Sequence, residues 1–277
     1  MPESSMSSKT AKELAFLHDL YIATDWSERF AKIVDEEIKL PDEGQFLYVE
    51  CGTGNHALEL REKLKDNVEF FCTESDPEKL RIAQAKAVAV KANVRFQNSF
   101  PQALNFPDGA FTTVVCDASF VAAERLHAVW KELYRATELK GNVALVLPTA
   151  GSFGEFFSIL WEALSALDLD ETGAEVERLI NGLPKISDVE DTLKNAGFKQ
   201  FEIKTSNEIF EYEVGADFLR SPLISDFLYP HWTSFVPPEK EVKLLREVEK
   251  VINNARDELS FWLSVKMTLV TAQKLRA

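Results

Sequence analysis

An apolar strand that runs straight into a Gly-Thr-Gly turn, and from there into a helix, leaves a chain few folds to choose from. Residues 46–60 read that way: Phe46-Leu47-Tyr48-Val49, then Glu50-Cys51-Gly52-Thr53-Gly54-Asn55-His56, then Ala57-Leu58-Glu59-Leu60. Glycines let the backbone approach a ligand closely, and a helix start offers N–H groups without intrahelical partners. The stretch is a candidate nucleotide cradle.

The same strand-then-helix rhythm repeats downstream. Strand Val68–Thr73 leads to a helix opened by Ser75-Asp76-Pro77-Glu78, where a capping Asp precedes a proline at the first helical turn. Short strand Val94–Gln97 follows. Strand Phe111–Cys116 precedes a helix over about 122–138, and Lys140-Gly141-Asn142 turns the chain into strand Val143–Leu147. Short apolar strands separated by helices predict an α/β fold, a doubly wound, mostly parallel sheet covered on both faces. Such sheets bind ligands outside the carboxyl ends of their strands. That rule places Glu50, Glu74, Asn98 to Phe100, Asp117 and Pro148 on one rim.

The flanks differ. Residues 11–40 read as amphipathic helices, so residues 1–40 are expected to form an N-terminal helical cap and 41–277 the main domain. The second half predicts helical insertions at about 150–185 and 214–257. Helix Ser187–Asn195 and strand Phe201–Ile209 lie between them, and Leu259–Thr271 closes as a seventh strand, placed antiparallel between neighbours. The first residues, Met1 to Lys9, are polar and read as disordered, with no apolar stretch of the secretory kind.

A chain of 277 residues is long enough for a sizeable core. Its net charge of −14 repels phosphate backbones and argues against nucleic acid as a general partner. No apolar run is long enough to span a bilayer. Cys51, Cys72 and Cys116 have no metal-type spacing and read as small buried thiols, so neither metal nor disulfide is expected and the protein is placed in the cytoplasm.

Gly52-Thr53-Gly54-Asn55-His56-Ala57 fits G-x-G-x-x-A, and Glu74 ends the next strand twenty residues after Gly54, where a carboxylate can hold two ribose hydroxyls. Nicotinamide enzymes and proteins that bind S-adenosylmethionine share those features. Five segments in order then resemble class I S-adenosylmethionine-dependent methyltransferases of the type 11 kind. They are Val49 to Ala57, Phe71 to Leu80, Ala103 to Phe111, Leu133 to Asn142, and Leu193 to Phe198, together covering roughly residues 45–210. The resemblance implies a seven-stranded Rossmann-like methyltransferase fold. It implies S-adenosylmethionine as cofactor across Gly52 and Gly54, with ribose on Glu74 beside Ser75, and adenine near Ser99 and Phe100.

Two departures stand out. Where this family's first strand ends in Asp-x-Gly, this chain has Tyr48-Val49-Glu50, and the acid after the third strand aligns with Phe100. A side chain at Glu50 can block the methionine end or repel its carboxylate; it can equally attract the ammonium and the sulfonium. Phe100 can stack where the family forms a hydrogen bond.

Methyl transfer needs the acceptor positioned and, for some oxygen or nitrogen acceptors, a base. Asp117 on the rim and His231 in the second insertion are the candidate catalytic residues, and Asp117 also counts among the cofactor contacts. Each has a plainer reading, Asp117 as a helix cap or turn residue and His231 as an exposed loop histidine. His56 is expected to pack against the sheet, and His18 and His127 to have only surface or core roles. Tyr21 and Trp26 are candidates to close over the cofactor. Aromatic residues crowd the two insertions (Phe153, Phe156, Phe157, Trp161; Phe218, Phe227, Tyr229, Trp232, Phe235), either as cap core or as an apolar lining for a small-molecule acceptor. Three functions remain open: methyl transfer, a binding or partner protein on this fold that has lost catalysis, and a nicotinamide-dependent oxidoreductase.

Overall fold

The computed structural model describes residues 9–255 and 260–275. The polar start, Met1 to Ser8, lies outside the described residues, as do the end of the second predicted insertion (256–257) and Leu259, where the last strand was expected to begin.

Seven strands form one sheet: β1 (Gly44–Val49), β2 (Val68–Glu74), β3 (Arg95–Asn98), β4 (Phe111–Asp117), β5 (Thr137–Pro148), β6 (Gln200–Tyr212) and β7 (Phe261–Gln273). Their order is β3-β2-β1-β4-β5-β7-β6. The first five run parallel, and β7 lies antiparallel between β5 and β6. This is the α/β doubly wound, mostly parallel seven-stranded sheet that the strand–helix rhythm predicts.

Side-chain alternation along each strand sorts the core into two layers. Phe46 and Tyr48 share one apolar cluster with Trp26 and Phe30 of the N-terminal helices and with Leu60. Leu47 and Val49 point the other way, into a cluster with Val129, Trp130, Leu193 and Phe198. The first face carries α1 (Ala11–Leu17), a π-helical stretch His18–Trp26, α2 (Ser27–Glu37) and α3 (Asn55–Lys63). α4 (Pro77–Ala89) belongs to the same side through buried Ala83. The opposite face carries α5 (Leu126–Ala136) and, beyond the first insertion, α8 (Ile186–Ala196).

Two groups of helices stand over the strand ends. The first is α6 (Gly154–Ala166) with α7 (Gly173–Gly182). The second is α9 (Gly215–Arg220), a π-helical turn Leu223–Leu228, α10 (Tyr229–Trp232) and α11 (Pro238–Ala255).

Local sequence signals explain the boundaries. Asp76 caps α4 by accepting from the N–H groups of Glu78 (2.8 Å) and Lys79 (3.3 Å), with Pro77 in the first turn. Gly197, at φ 115°, ends α8 in the left-handed conformation that glycine tolerates. One expectation needs correction. Lys140-Gly141-Asn142 is not a turn before a strand but an irregular part of β5, which begins at Thr137, with Lys140 at φ 70°. The reason is pairing: Lys140 N–H donates to the carbonyl of Lys274 (2.7 Å), and Lys274 N–H donates to that of Gly141 (3.0 Å). A ladder partner is available, so the backbone stays in the sheet and absorbs the extra residue as a bulge.

Candidate functional site

The register of the central strands builds the site. Val49 of β1 lies beside Thr73 of β2 and Cys116 of β4. The next residue of each strand therefore emerges on the same rim, which brings together Glu50, Glu74 and Asp117. All three line a cavity of about 110 Å³ with Gly52, Gly54 and Lys79. His18, Thr24, Ser27 and Glu28 from the N-terminal helices form its opposite wall.

The glycine turn is tightly fitted. Gly52 and Gly54 have φ of 57° and 90°, a region glycine enters without steric cost. A Cβ on Gly54 would stand 2.9 Å from the Cβ of Ala83, so α3 and α4 meet across a bare α-carbon. A Cβ on Gly52 would stand 3.0 Å from the ring of His18.

Glu74 is 2% exposed, and each of its oxygens accepts from a backbone N–H: Gly52 at 2.7 Å and Asp76 at 2.9 Å. It thereby ties the glycine turn to the start of α4. Each oxygen keeps a second lone pair for a ligand hydroxyl.

Glu50 is the unusual member. Its φ is 55°, a conformation that costs a residue with a side chain about 1–2 kcal/mol. One oxygen accepts from the Ser75 hydroxyl at 2.8 Å, while Oε1 is buried without a partner. Burial, followed by the nearby Glu74, pushes its carboxyl up to about 8. Asp117 is raised as well, chiefly by burial, although the Ser119 N–H donates to it at 2.9 Å. Five acidic residues, Glu28, Glu50, Glu59, Glu74 and Asp117, line this small space with one ammonium, that of Lys79.

Tyr48 belongs to a chain of hydrogen bonds. Its hydroxyl lies 2.8 Å from His56 Nδ1, His56 Nε2 lies 3.3 Å from Asp35, and the ammonium of Lys63 donates to Asp35 at 2.7 Å. Burial lowers the His56 pKa, which keeps the ring neutral near pH 7. Nε2–H then donates to Asp35, Nδ1 accepts, and the Tyr48 hydroxyl must donate to it. The Tyr48 oxygen is left as an acceptor lining the cavity.

His18 was expected to have only a surface or core role and is instead a wall of the site. It is 4% exposed, its Nδ1 has no partner, and burial, then Lys79 and Lys86, hold its pKa well below 6.5. Lys86 bonds to Asp19 and to Asn55, which pins the N-terminal helices to the cradle helix. The wide turns of the π-helical stretch His18–Trp26 are the only signal of this arrangement, and sequence periodicity does not display them.

The remaining expected residues separate. Ser75 holds Glu50 and does not line the cavity. Ser99 and Phe100 lie outside it: Phe100 is 55% exposed, and the Ser99 hydroxyl is buried without a partner. Tyr21 is half exposed and Trp26 buried, and neither lines the cavity over the glycine turn.

A second cavity of about 530 Å³ opens beside the first and shares the wall Ser119-Phe120-Val121 with it. Phe153, Phe157, Phe227, Trp232 and Phe235 line it, and so does His231. Asp117 and His231 thus face different cavities. Phe156, Phe218 and Tyr229 are core, and Trp161 is largely exposed. Phe120 stands between the cavities, 5.4 Å from Trp26 and 6.1 Å from Phe227 ring to ring. Among the described residues no group of His, Cys, Asp and Glu could hold a metal ion, the three cysteines are buried and unpaired, and no helix is long and apolar enough to cross a membrane.

A doubly wound sheet with β7 antiparallel between β5 and β6, and a glycine turn after β1 facing a rim carboxylate on β2, defines the class I methyltransferase fold. The family model of the methyltransferase domain matches residues 46–141. The segment is 29% identical over 119 residues to a demethylmenaquinone methyltransferase of Deinococcus radiodurans, covering 42% of this chain and 49% of that protein. It is 31% identical over 121 residues to one of Thermus thermophilus, covering 43% and 54%. The chain thus spans about half the length of these relatives. Among solved structures it resembles the YcgJ protein of Bacillus subtilis, with a TM-score of 0.59 at 16% identity over 90% of this chain and all of that one.

Proposed function

We propose that the protein transfers a methyl group from S-adenosylmethionine to a small apolar acceptor. The observation that carries this reading is the pair of adjoining cavities: a polar one over the glycine turn and an apolar one under the helical insertions, divided by Phe120.

The chemistry of the small cavity suits the cofactor. The carboxyls of Glu50, Glu74 and Asp117 and the Tyr48 oxygen are acceptors for a ligand that carries two cationic centres. Unpartnered buried atoms of Glu50, Thr53 and His18 await polar contacts there. Gly52 and Gly54 admit close approach, and Glu74 is the carboxylate for the ribose. The volume of about 110 Å³ is below the roughly 300–1,000 Å³ of ligand pockets, so the wall formed by His18 to Glu28 withdraws when the cofactor enters. When bound, the cofactor supplies an electrophilic methyl group on a sulfonium. The protein's share is to orient the acceptor against it and to exclude water.

The larger cavity is within the usual size range and is lined by seven Phe and Trp rings, Trp26 and Phe120 among them, which suits a flat apolar acceptor. The names of the Deinococcus and Thermus relatives point the same way, toward a quinone-type ring. His231 is the histidine on that wall and takes the acceptor's proton if one must leave. The N-terminal helices and the two insertions serve as caps over the two cavities.

Titration calorimetry with S-adenosylmethionine tests the cofactor assignment. Binding is expected, and Glu74→Ala is expected to weaken it at least about tenfold, the loss of one charged hydrogen-bonding partner. Unchanged affinity in Glu74→Ala, with the fold retained by circular dichroism, removes the ribose role. A second reading, a binding protein on this fold without catalysis, is favoured by Glu50, whose side chain occupies space that glycine would leave open. Absence of binding to both S-adenosylmethionine and S-adenosylhomocysteine would favour it.

A further inference from the structure

Glu50 bears two costs at once. Its backbone is held in the left-handed region, and its carboxyl is buried beside Glu74 from β2 and Asp117 from β4. Ser75 occupies one oxygen, and the other has no partner. Such strain persists only where the surroundings impose it, and it is a reason to look for a role.

The neighbours define what could relieve the carboxyl. Of the groups around it, Glu74 and Asp117 repel a negative charge, and Lys79 from α4 is the one cation that favours it. His18 stands across the cavity as a neutral ring. The Tyr48 oxygen is an acceptor because Asp35 fixes the tautomer of His56. Two independent features show that the space is meant for a polar ligand: Thr53 Oγ1 and His18 Nδ1 are buried without partners in side chains that are 1% and 4% exposed. Acidic residues in the cavity wall outnumber its one ammonium, that of Lys79.

We infer that Glu50 is a specificity-determining residue that reads the charge on sulfur, favouring the cationic sulfonium donor over the neutral thioether that remains after transfer. This rests on the methyl-transfer reading. The donor and the spent cofactor differ by one methyl group and one positive charge. A hydrophobic wall distinguishes them weakly, whereas a carboxylate in a sheltered site distinguishes them strongly. Release of the product follows from the same contact, because the charge that held the ligand is consumed by the reaction. Because burial and Glu74 hold the empty-site carboxyl protonated near neutrality, entry of a cation also drives its proton off.

The test is calorimetry with S-adenosylmethionine and S-adenosylhomocysteine on the full chain, for the wild type, Glu50→Gln and Glu50→Gly. Measurements above pH 8 keep the wild-type carboxyl ionised. The wild type is expected to bind the sulfonium at least about tenfold tighter than the thioether. Both variants are expected to bring the ratio to within about threefold of unity, mainly by weakening the sulfonium. Near pH 7, titrations in buffers of different ionisation enthalpy are expected to show proton release when the sulfonium binds the wild type and none for Glu50→Gln. A ratio unchanged in folded Glu50→Gln or Glu50→Gly, or a wild type that binds both ligands equally, overturns the inference while leaving the cofactor assignment intact. Failure of the wild type to bind either ligand overturns the cofactor assignment, and the inference with it.

Discussion

Replacing Glu50 by glutamine should make the protein more stable, by an amount set by pH. The ordinary carboxyl value of 4.5 rises to about 8 in the folded state, through burial and the proximity of Glu74. The sign follows from which state holds the proton. Below pH 4.5 folded and unfolded chains both carry it, and the group contributes nothing. Above 4.5 the unfolded chain loses its proton while the folded chain keeps it, so stability falls by about 1.4 kcal/mol per pH step. At pH 7 the cost amounts to about 3 kcal/mol, and it levels off above pH 8 at about 5 kcal/mol. Glutamine cannot ionise, can accept from the Ser75 hydroxyl in the same way, and keeps the left-handed backbone. The variant should therefore match the wild type near pH 4.5 and exceed it by about 2–4 kcal/mol at pH 7. Urea unfolding followed by tryptophan fluorescence at several pH values between 4.5 and 8 measures the gap. A gap that stays constant across that range, or a variant less stable at pH 7, refutes the reasoning. Glu50→Gly should add a gain of about 1 kcal/mol at every pH, because glycine carries no penalty for φ near 55°.

Two further outcomes follow from the same geometry. Gly54→Ala forces a methyl group to 2.9 Å from the Cβ of Ala83 at φ 90°, and should cost about 1–3 kcal/mol in urea unfolding by prising α3 from α4. His231→Ala, on the wall of the larger cavity, should lower kcat on the order of 100-fold for an acceptor that must lose a proton. Its affinity for S-adenosylmethionine should stay within about twofold, because His231 does not line the cavity over the glycine turn.

The sheet was legible because its signals are local. Each of Phe46–Val49, Val68–Thr73 and Phe111–Cys116 is an apolar run too short for a helix, and Asp76-Pro77 opens α4 through bonds made within three residues. Even the placement of β7 could be anticipated from an apolar, β-branched run after a long insertion. The rim carboxylates were legible for a related reason: strand ends in a parallel sheet align, so Glu50, Glu74 and Asp117 had to gather once the strands were assigned. The cover was not legible. Tyr21 and Trp26 were the aromatic candidates, yet π-helical winding rotates His18 onto Gly52 and sends Trp26 into the core. Ser99 and Phe100 do not line the cavity over the glycine turn, although Asn98 pairs with Glu74 and the Ser99 N–H donates to the Glu74 carbonyl at 3.3 Å. Nor does the sequence reveal that Asp35, His56 and Tyr48 are linked, since nothing local brings residue 35 to the cradle helix.

The position of β7 has a consequence for how the molecule comes into being. Among the described residues β6 pairs only with β7, and β7 in turn needs β5. As the polypeptide leaves the ribosome, β1 to β5 can zip together in order of synthesis, each finding a partner already made. β6 emerges with no strand to join and must wait, its backbone donors and acceptors hydrated, until the whole second insertion and then β7 have followed. Such a delayed, non-local pairing is slow and leaves an open sheet edge at β5 in the meantime. A nascent chain halted between β6 and β7 should therefore be the species on which chaperones act and from which aggregates grow.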